Sequence, residues 1–68
     1  MFRLTRLRSL REQRFMSQRD LAQAARVSRA TIVKAEQGHE IGRFVTIRKL
    51  AAALGVEPAE LVEEERQA

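Results

Sequence analysis

The sequence predicts a compact, all-α domain of five short helices. Apolar residues recur every three or four positions, as in Leu4, Leu7 and Leu10, which is the spacing of one helix face. Serine and glycine residues stand where such helices would begin and end. No segment alternates with a period of two, and no Asn-Gly or Asp-Gly pair is present, so strands are not expected.

The first two helices are predicted from an apolar stripe and a capping motif. Helix one covers about residues 3–14, and most of its polar positions are arginine. Helix two covers about residues 18–25, because Ser17 begins the run Ser-Gln-Arg-Asp. The Ser17 hydroxyl would accept a free backbone amide, and Asp20, three residues later, suits the positive end of the helix dipole.

Helices three and four are bounded by similar local signals. Ser28 would cap the third helix, predicted over about residues 28–37, and Gly38 would end it in a left-handed conformation. A further helical stripe runs from Phe44 to Leu54, where Gly55 follows. Helices two and three are therefore both short and are joined by a connection of only about three residues.

A fifth short helix is predicted from Pro58, since proline at the first helical position gives up no useful donor. Leu61 would turn inward to the core. The folded domain is expected to end near Val62, and residues 63–68 to form an acidic, frayed tail. Residues 1–62 would then be one domain.

Composition limits the class of protein. A chain of 68 residues has room for one small core, and the absence of cysteine excludes disulfides and thiolate metal ligands. No apolar run approaches the roughly 20 residues that span a bilayer, so no membrane association is expected. These features fit a cytoplasmic protein.

Charge is distributed unevenly along the chain. Residues 1–49 carry 12 Arg and Lys against 4 Asp and Glu, whereas residues 50–68 carry one Arg against 5 Glu. A basic body favours a polyanionic partner, although ordinary solvation of the surface would also explain it. The acidic end is solvated or faces a partner.

Helices two and three have the pattern of a helix-turn-helix. Two short capped helices are joined by a turn of about three residues, and the small Ala22 stands where they would cross. This arrangement presents the first part of helix three (residues 28–37) outward. Side chains there would reach base edges in the major groove.

The same residues resemble those of the phage repressor and Cro type of helix-turn-helix domain, the XRE family. The resemblance spans about residues 4–62 and rests on Leu10-Arg11, Ser17-Gln18, Leu21-Ala22, Val27-Ser28, Thr31-Ile32, Glu36, Gly38, Leu50-Ala51 and Ala53-Leu54-Gly55-Val56. It implies a five-helix, lambda-repressor-like bundle. It also implies a bacterial or phage transcription regulator, nucleoid-associated and without enzymatic activity, that binds palindromic operators as a dimer.

The resemblance assigns roles to individual residues. Base contacts are implied for Arg29, Ala30 and Lys34. Phosphate contacts are implied for Ser17, Gln18, Ser28, Thr31 and Arg43. Arg11 and Glu36 match a partly buried salt bridge between helices one and three. Glu36 lies at the C-terminal end of helix three, where the helix dipole disfavours an acid, and a nearby cation would explain its presence there.

The sequence departs from the family at three places. Arg26 and Phe15 stand where glycine is common, and in a left-handed conformation a residue with a Cβ is strained by about 1 kcal/mol. Gly42-Arg43 replaces a frequent Pro-Ser at the start of helix four, so that helix is expected to be poorly capped.

Self-association is expected through the C-terminal third. One recognition helix reads only a few base pairs, so selecting one genomic site requires a second copy. A small apolar patch suited to a weak homodimer is predicted from Val56, Pro58, Ala59 and Val62.

Other functions are less well supported. An antitoxin or adaptor that uses the same fold to bind a protein is the main alternative, favoured by the acidic residues 57–65. His39 is the only histidine and lacks companions for a metal site, so neither metal nor cofactor is expected. Ser17 and Ser28 have no neighbouring base that would make them nucleophiles.

Overall fold

The computed structural model describes residues 2–62, which are all-helical and contain no strand. Four α-helices and one 3-10 turn follow in order: α1 (Leu7–Gln13), α2 (Gln18–Ala25), α3 (Arg29–Glu36), α4 (Phe44–Leu54) and η1 (Pro58–Glu60). The predicted all-α class is confirmed. The predicted number of five α-helices is wrong, because the last element is only one turn of 3-10 helix.

A tertiary contact explains why the fifth predicted helix is so short. The Leu61 amide donates to the Pro58 carbonyl at 3.1 Å, which is the tighter 3-10 pattern. Leu61 then turns into the core, where it is fully buried. Its carbonyl accepts the Arg6 amide at 3.0 Å, so the C-terminal turn is tied to the start of α1. The predicted tail over residues 63–68 lies outside the described residues.

The first helix also begins later than predicted, at Leu7 rather than near residue 3. Phe2 forms an isolated antiparallel bridge with Ile41, and their reciprocal backbone hydrogen bonds measure 3.0 and 2.7 Å. Bridge geometry requires an extended backbone, so the residues next to Phe2 are not helical. Leu4 is nevertheless buried in the core, as its place in the apolar stripe predicts.

The predicted caps of α2 and α3 are present. The Ser17 hydroxyl accepts the Asp20 amide at 2.9 Å, and the Asp20 carboxylate accepts the Ser17 amide at 3.0 Å, which completes a capping box. The Ser28 hydroxyl accepts the Thr31 amide at 3.1 Å. At the start of α4, by contrast, Arg43 makes no side-chain capping hydrogen bond, as predicted.

Two residues with side chains occupy left-handed turns. Phe15, between α1 and α2, has φ 55°, and Arg26, between α2 and α3, has φ 60°. Both are positions where glycine is common in the family, and the left-handed conformation expected at Arg26 is present. Gly38 and Gly55 close α3 and α4 at φ 94° and 72°, where glycine carries no such strain.

One apolar core joins the helices, and α2 packs against both α3 and α4. Its buried members are Leu4, Leu7, Leu21, Ala22, Ala25, Ile32, Ala35, Ile47, Leu50, Ala51, Leu54 and Leu61. Ala22, the small residue of the predicted helix-turn-helix, is buried in this core. Full burial of each large aliphatic side chain contributes about 1.5–3 kcal/mol. This core holds the helix-turn-helix in place.

Candidate nucleic-acid interface

The first turn of α3 presents polar side chains outward while its other face enters the core. Ile32 and Ala35 are buried, whereas Arg29, Ala30 and Lys34 are exposed. Residues 29, 30 and 34 therefore lie on the solvent side of the helix, two of them in its first turn. A cation beside the helix start adds positive charge where the free amides already carry a partial positive charge.

Hydroxyl groups surround the two helix starts. Ser17 and Ser28 are exposed and accept backbone amides, and the Ser17 hydroxyl keeps its hydrogen available for donation. The Ser28 and Thr31 hydroxyl oxygens are 2.8 Å apart, which indicates a hydrogen bond between them. These three residues form a polar surface at the amino ends of α2 and α3.

A buried ion pair joins α1 to the end of α3. Arg11 Nε donates to Glu36 Oε2 at 2.7 Å, and Arg11 Nη2 donates to Glu36 Oε1 at 3.1 Å. The side chains are 10% and 5% exposed. A bidentate pair with so little exposure is much less screened than a surface pair. The structure thus joins the two residues that the sequence paired.

The network extends to α2 and to the loop before it. Gln18 Nε2 donates to Glu36 Oε1 at 3.0 Å, and Arg11 Nη1 donates to the Met16 carbonyl at 2.7 Å. Gln18 was predicted as a phosphate contact, and nothing in the sequence paired it with Glu36. A single carboxylate therefore links α1, α2 and α3.

Burial and hydrogen bonding act in opposite directions on the pKa of Glu36. Burial raises that pKa, but the hydrogen bonds from Arg11 and Gln18 and the charge of Arg11 outweigh it and hold the pKa below its ordinary value. The hydrogen bond with Glu36 raises the pKa of Arg11. The backbone hydrogen bond from Ser17 lowers the pKa of Asp20. These groups are therefore charged at neutral pH.

An open groove runs between α1 and the two capped helix starts. It is lined by Arg8, Arg11, Ser17, Gln18, Arg19, Arg29, Val33, Glu36 and Gln37. Arg8, Arg19 and Arg29 are exposed there, so the groove is positively charged. Arg8 and Arg19 were not among the predicted site residues. Only the arginine-rich polar face of the first helix pointed toward Arg8. Arg43, at the start of α4, lies outside this groove.

A second, apolar groove lies beside the C-terminal turn. It is lined by Phe2, Phe44, Ile47, Arg48, Pro58, Ala59 and Val62. The Phe2 and Phe44 ring centroids are 5.7 Å apart, and Phe44 is 63% exposed. Three residues of the predicted dimer patch line this groove, but Val56 does not. The contribution of both phenylalanines was missed, because residues 2 and 44 are distant in the sequence.

Residues 2–62 lack the features of a membrane span and of a metal site. No helix in this range has the length and apolar character required to cross a bilayer. The same residues contain no group of three or more His, Asp or Glu side chains arranged to hold a metal ion.

Comparisons with known proteins agree on the type of domain. Residues 5–64 match the helix-turn-helix domain family. The chain is also similar to the crystal structure of the restriction-modification controller protein C.AhdI from Aeromonas hydrophila. The two are 40% identical with a TM-score of 0.77, over 84% of this chain and 86% of that one. Among proteins with curated descriptions, none matches the sequence significantly.

Proposed function

The chain belongs to the helix-turn-helix domain family, in its phage repressor and Cro type, and we propose that it is a sequence-specific regulator of transcription that binds double-stranded DNA. The observation that carries the proposal is the start of α3, where Arg29 and Ala30 are exposed beside the basic groove. Similarity to a controller protein over most of both chains supports it.

In this proposal α3 lies in the major groove, and three side chains read bases. Arg29 forms a bidentate pair with guanine, Ala30 contacts a thymine methyl group, and Lys34 contacts guanine or a phosphate. All three are exposed, and no carboxylate of residues 2–62 lies within salt-bridge distance of Arg29 or Lys34. Neither cation would have to break an ion pair with those residues on binding DNA.

The backbone of the duplex is held by the polar residues around the helix starts. These are Ser17, Gln18, Ser28, Thr31 and Arg43. Hydroxyl and amide donors suit phosphate oxygens, and the amino ends of α2 and α3 add partial positive charge. These contacts fix orientation and register but carry no sequence information of their own.

Binding to a palindromic operator requires a second copy of the chain. We propose a weak homodimer through Val56, Pro58, Ala59 and Val62, since Pro58 and Ala59 are exposed and adjoin the exposed Phe44 in one apolar groove. Two-fold symmetry would separate the recognition helices by about 34 Å, one turn of the double helix. DNA would stabilise such a dimer by mass action.

Selection of bound sequences from a random duplex pool, followed by a salt titration of the best sequence, tests the function. We expect a palindromic consensus and a steep linear fall of log affinity with log salt, because each neutralised phosphate releases counterions. Weak, unsaturable binding with no consensus would contradict the proposal and favour a module that binds a protein instead.

Two substitutions separate base reading from phosphate contact. Arg29→Ala should weaken binding to the best site by about 1–3 kcal/mol and relax the preference at one base pair. Gln18→Ala should weaken binding to all duplexes alike. Both are measured by titration against the selected site and a scrambled duplex. Identical effects of the two substitutions on both duplexes would show that the assigned roles are wrong.

The dimer is tested by Val56→Glu, which puts a charge at the edge of the apolar patch. Helical content should be retained because Val56 is only half-buried, whereas cooperative binding to two half-sites should be lost. Circular dichroism and titration of one-half-site and two-half-site duplexes measure the two effects. Sedimentation showing one protein per operator at saturation would rule out the dimer.

A further inference from the structure

We infer that Glu36 is a positioning residue for DNA binding, which acts by fixing the side-chain amide of Gln18 in the basic groove. The inference rests on the proposed function, in which Gln18 contacts a phosphate. It assigns Glu36 a role beyond its salt bridge with Arg11. Affinity for DNA of any sequence would then depend on a carboxylate at the far end of α3, although that carboxylate itself touches no DNA.

The two oxygens of Glu36 are used differently. Oε2 accepts Arg11 Nε at 2.7 Å, whereas Oε1 accepts both Arg11 Nη2 at 3.1 Å and Gln18 Nε2 at 3.0 Å. Arg11 also donates to the Met16 carbonyl at 2.7 Å, two residues before Gln18. One ion pair therefore holds both the side chain of Gln18 and the loop that leads into α2.

An amide held in this way is oriented before DNA arrives. A glutamine side chain has two amide hydrogens and one carbonyl oxygen, and one hydrogen of Gln18 is already bonded to Glu36. This bond restricts the amide, so the second hydrogen and the oxygen are confined to a narrower range of orientations than in a free side chain. Gln18 is half-buried and lines the groove with Arg8, Arg19 and Arg29. Ordering the side chain in advance removes part of the entropy cost of binding.

The charge of Glu36 does not oppose this role. A free carboxylate in the groove would repel phosphates, but this one is 5% exposed and faces the Arg11 guanidinium in a bidentate pair. Within the described residues, every buried side-chain polar atom has a hydrogen-bond partner. The Glu36 charge is therefore balanced by Arg11, and the groove remains positive through Arg19 and Arg29, although Arg8 pairs with Glu12 at 3.2 Å.

A purely structural salt bridge predicts something different, namely that Gln18 contributes equally to DNA affinity whether or not Glu36 is present. A double-mutant cycle distinguishes the two cases. The background is Arg11→Met combined with Glu36→Leu, because replacing both partners of a buried pair by apolar residues leaves no uncompensated charge. Gln18→Ala is made in the parent and in this background, and Gln23→Ala, an exposed α2 residue outside the groove, serves as control.

Affinities are measured on a scrambled duplex at one salt concentration, with melting curves to establish that each protein is folded. We expect Gln18→Ala to weaken binding roughly two- to tenfold in the parent and to have almost no further effect in the background. Gln23→Ala should have no effect in either. An equal effect of Gln18→Ala in both would overturn the inference while leaving the proposed function intact. A parent that shows no salt-dependent binding would overturn both.

A measurement on the unsubstituted protein tests the inference even if the Arg11→Met, Glu36→Leu protein does not fold. In the free protein, NMR relaxation should show the Gln18 side-chain amide to be as ordered as the backbone, and the exposed Gln23 amide to be mobile. Equal mobility of the two side-chain amides would overturn the inference, because Gln18 would then not be fixed before binding.

Discussion

The helix-turn-helix half of the molecule, α2 and α3, is held differently from the C-terminal half, α4 and η1. Ser17 and Ser28 cap their helices through side-chain hydrogen bonds of 2.9 and 3.1 Å, and Glu36 ends the segment in an ion-pair network. The start of α4 has no side-chain cap, and the exposed Phe44 follows at once.

The C-terminal half relies more on apolar packing, although at η1 the Glu60 carboxylate accepts the Glu57 amide at 2.9 Å. The buried face of α4 consists of Ile47, Leu50, Ala51 and Leu54. Leu61, after η1, is also buried in the core. Hydrogen bonds and ion pairs are directional, whereas apolar burial is roughly proportional to area and has no direction. The first half is therefore suited to holding polar groups at fixed positions. In the second half it is the exposed Phe44, not this buried face, that is available to another apolar surface.

The largest loss of stability is expected from a substitution that disrupts the polar network of the first half. Glu36→Ala should lower the free energy of unfolding by about 2 kcal/mol, because it leaves the buried Arg11 guanidinium without its partner. The matched control is Glu40→Ala, whose carboxylate lies 4.0 Å from Arg3 with both side chains largely exposed. That pair should contribute less than about 1 kcal/mol. Denaturant unfolding measures both, and equal losses would remove the distinction.

Smaller changes in stability are expected from substitutions at the capped start of α3 and the uncapped start of α4. Ser28→Ala should cost about 1 kcal/mol, since the Thr31 amide loses its acceptor. Arg43→Ser should instead stabilise the protein by about 0.5 kcal/mol, because it supplies a capping hydroxyl where the backbone is already extended. Both changes in unfolding free energy are measured by the shift of the denaturant midpoint, provided that the slope of free energy against denaturant concentration is unchanged. A stability loss from Arg43→Ser would show that α4 does not lack a cap.

The smallest expected effect is on the pH dependence of stability. The pKa of Glu36 is held below its ordinary value of 4.5, so the resulting stabilisation is fully present above that pH. It is lost as the pH falls through the lower pKa of the folded protein, because the unfolded state takes up a proton at a higher pH than the folded state does. Unfolding free energies followed into acid should decline less steeply in Glu36→Ala than in the parent. Parallel curves would contradict the assignment.

Signals between near neighbours were sufficient to predict most of the helices. Ser17 and Ser28 contact amides only three residues away, and the predicted start and end of α3 each lie within one residue of the observed bounds. The left-handed turn at Arg26 was predicted from the family resemblance and is confirmed, and Phe15, noted as a common glycine site, has the same left-handed conformation. Such features depend on backbone geometry that a few adjacent residues decide.

Contacts between distant residues were decided by the tertiary structure. The Leu61 carbonyl accepts the Arg6 amide directly after the single 3-10 turn, and Phe2 pairs with Ile41 where the first helix was predicted to begin. The sharing of Glu36 by Arg11 and Gln18 likewise requires α1, α2 and α3 to converge. Residue type and short spacing were enough to predict the helix caps, the apolar stripes and the basic character of the first 49 residues. Only packing decided which distant groups meet, because a hydrogen bond forms only between atoms that the folded core brings within about 3 Å.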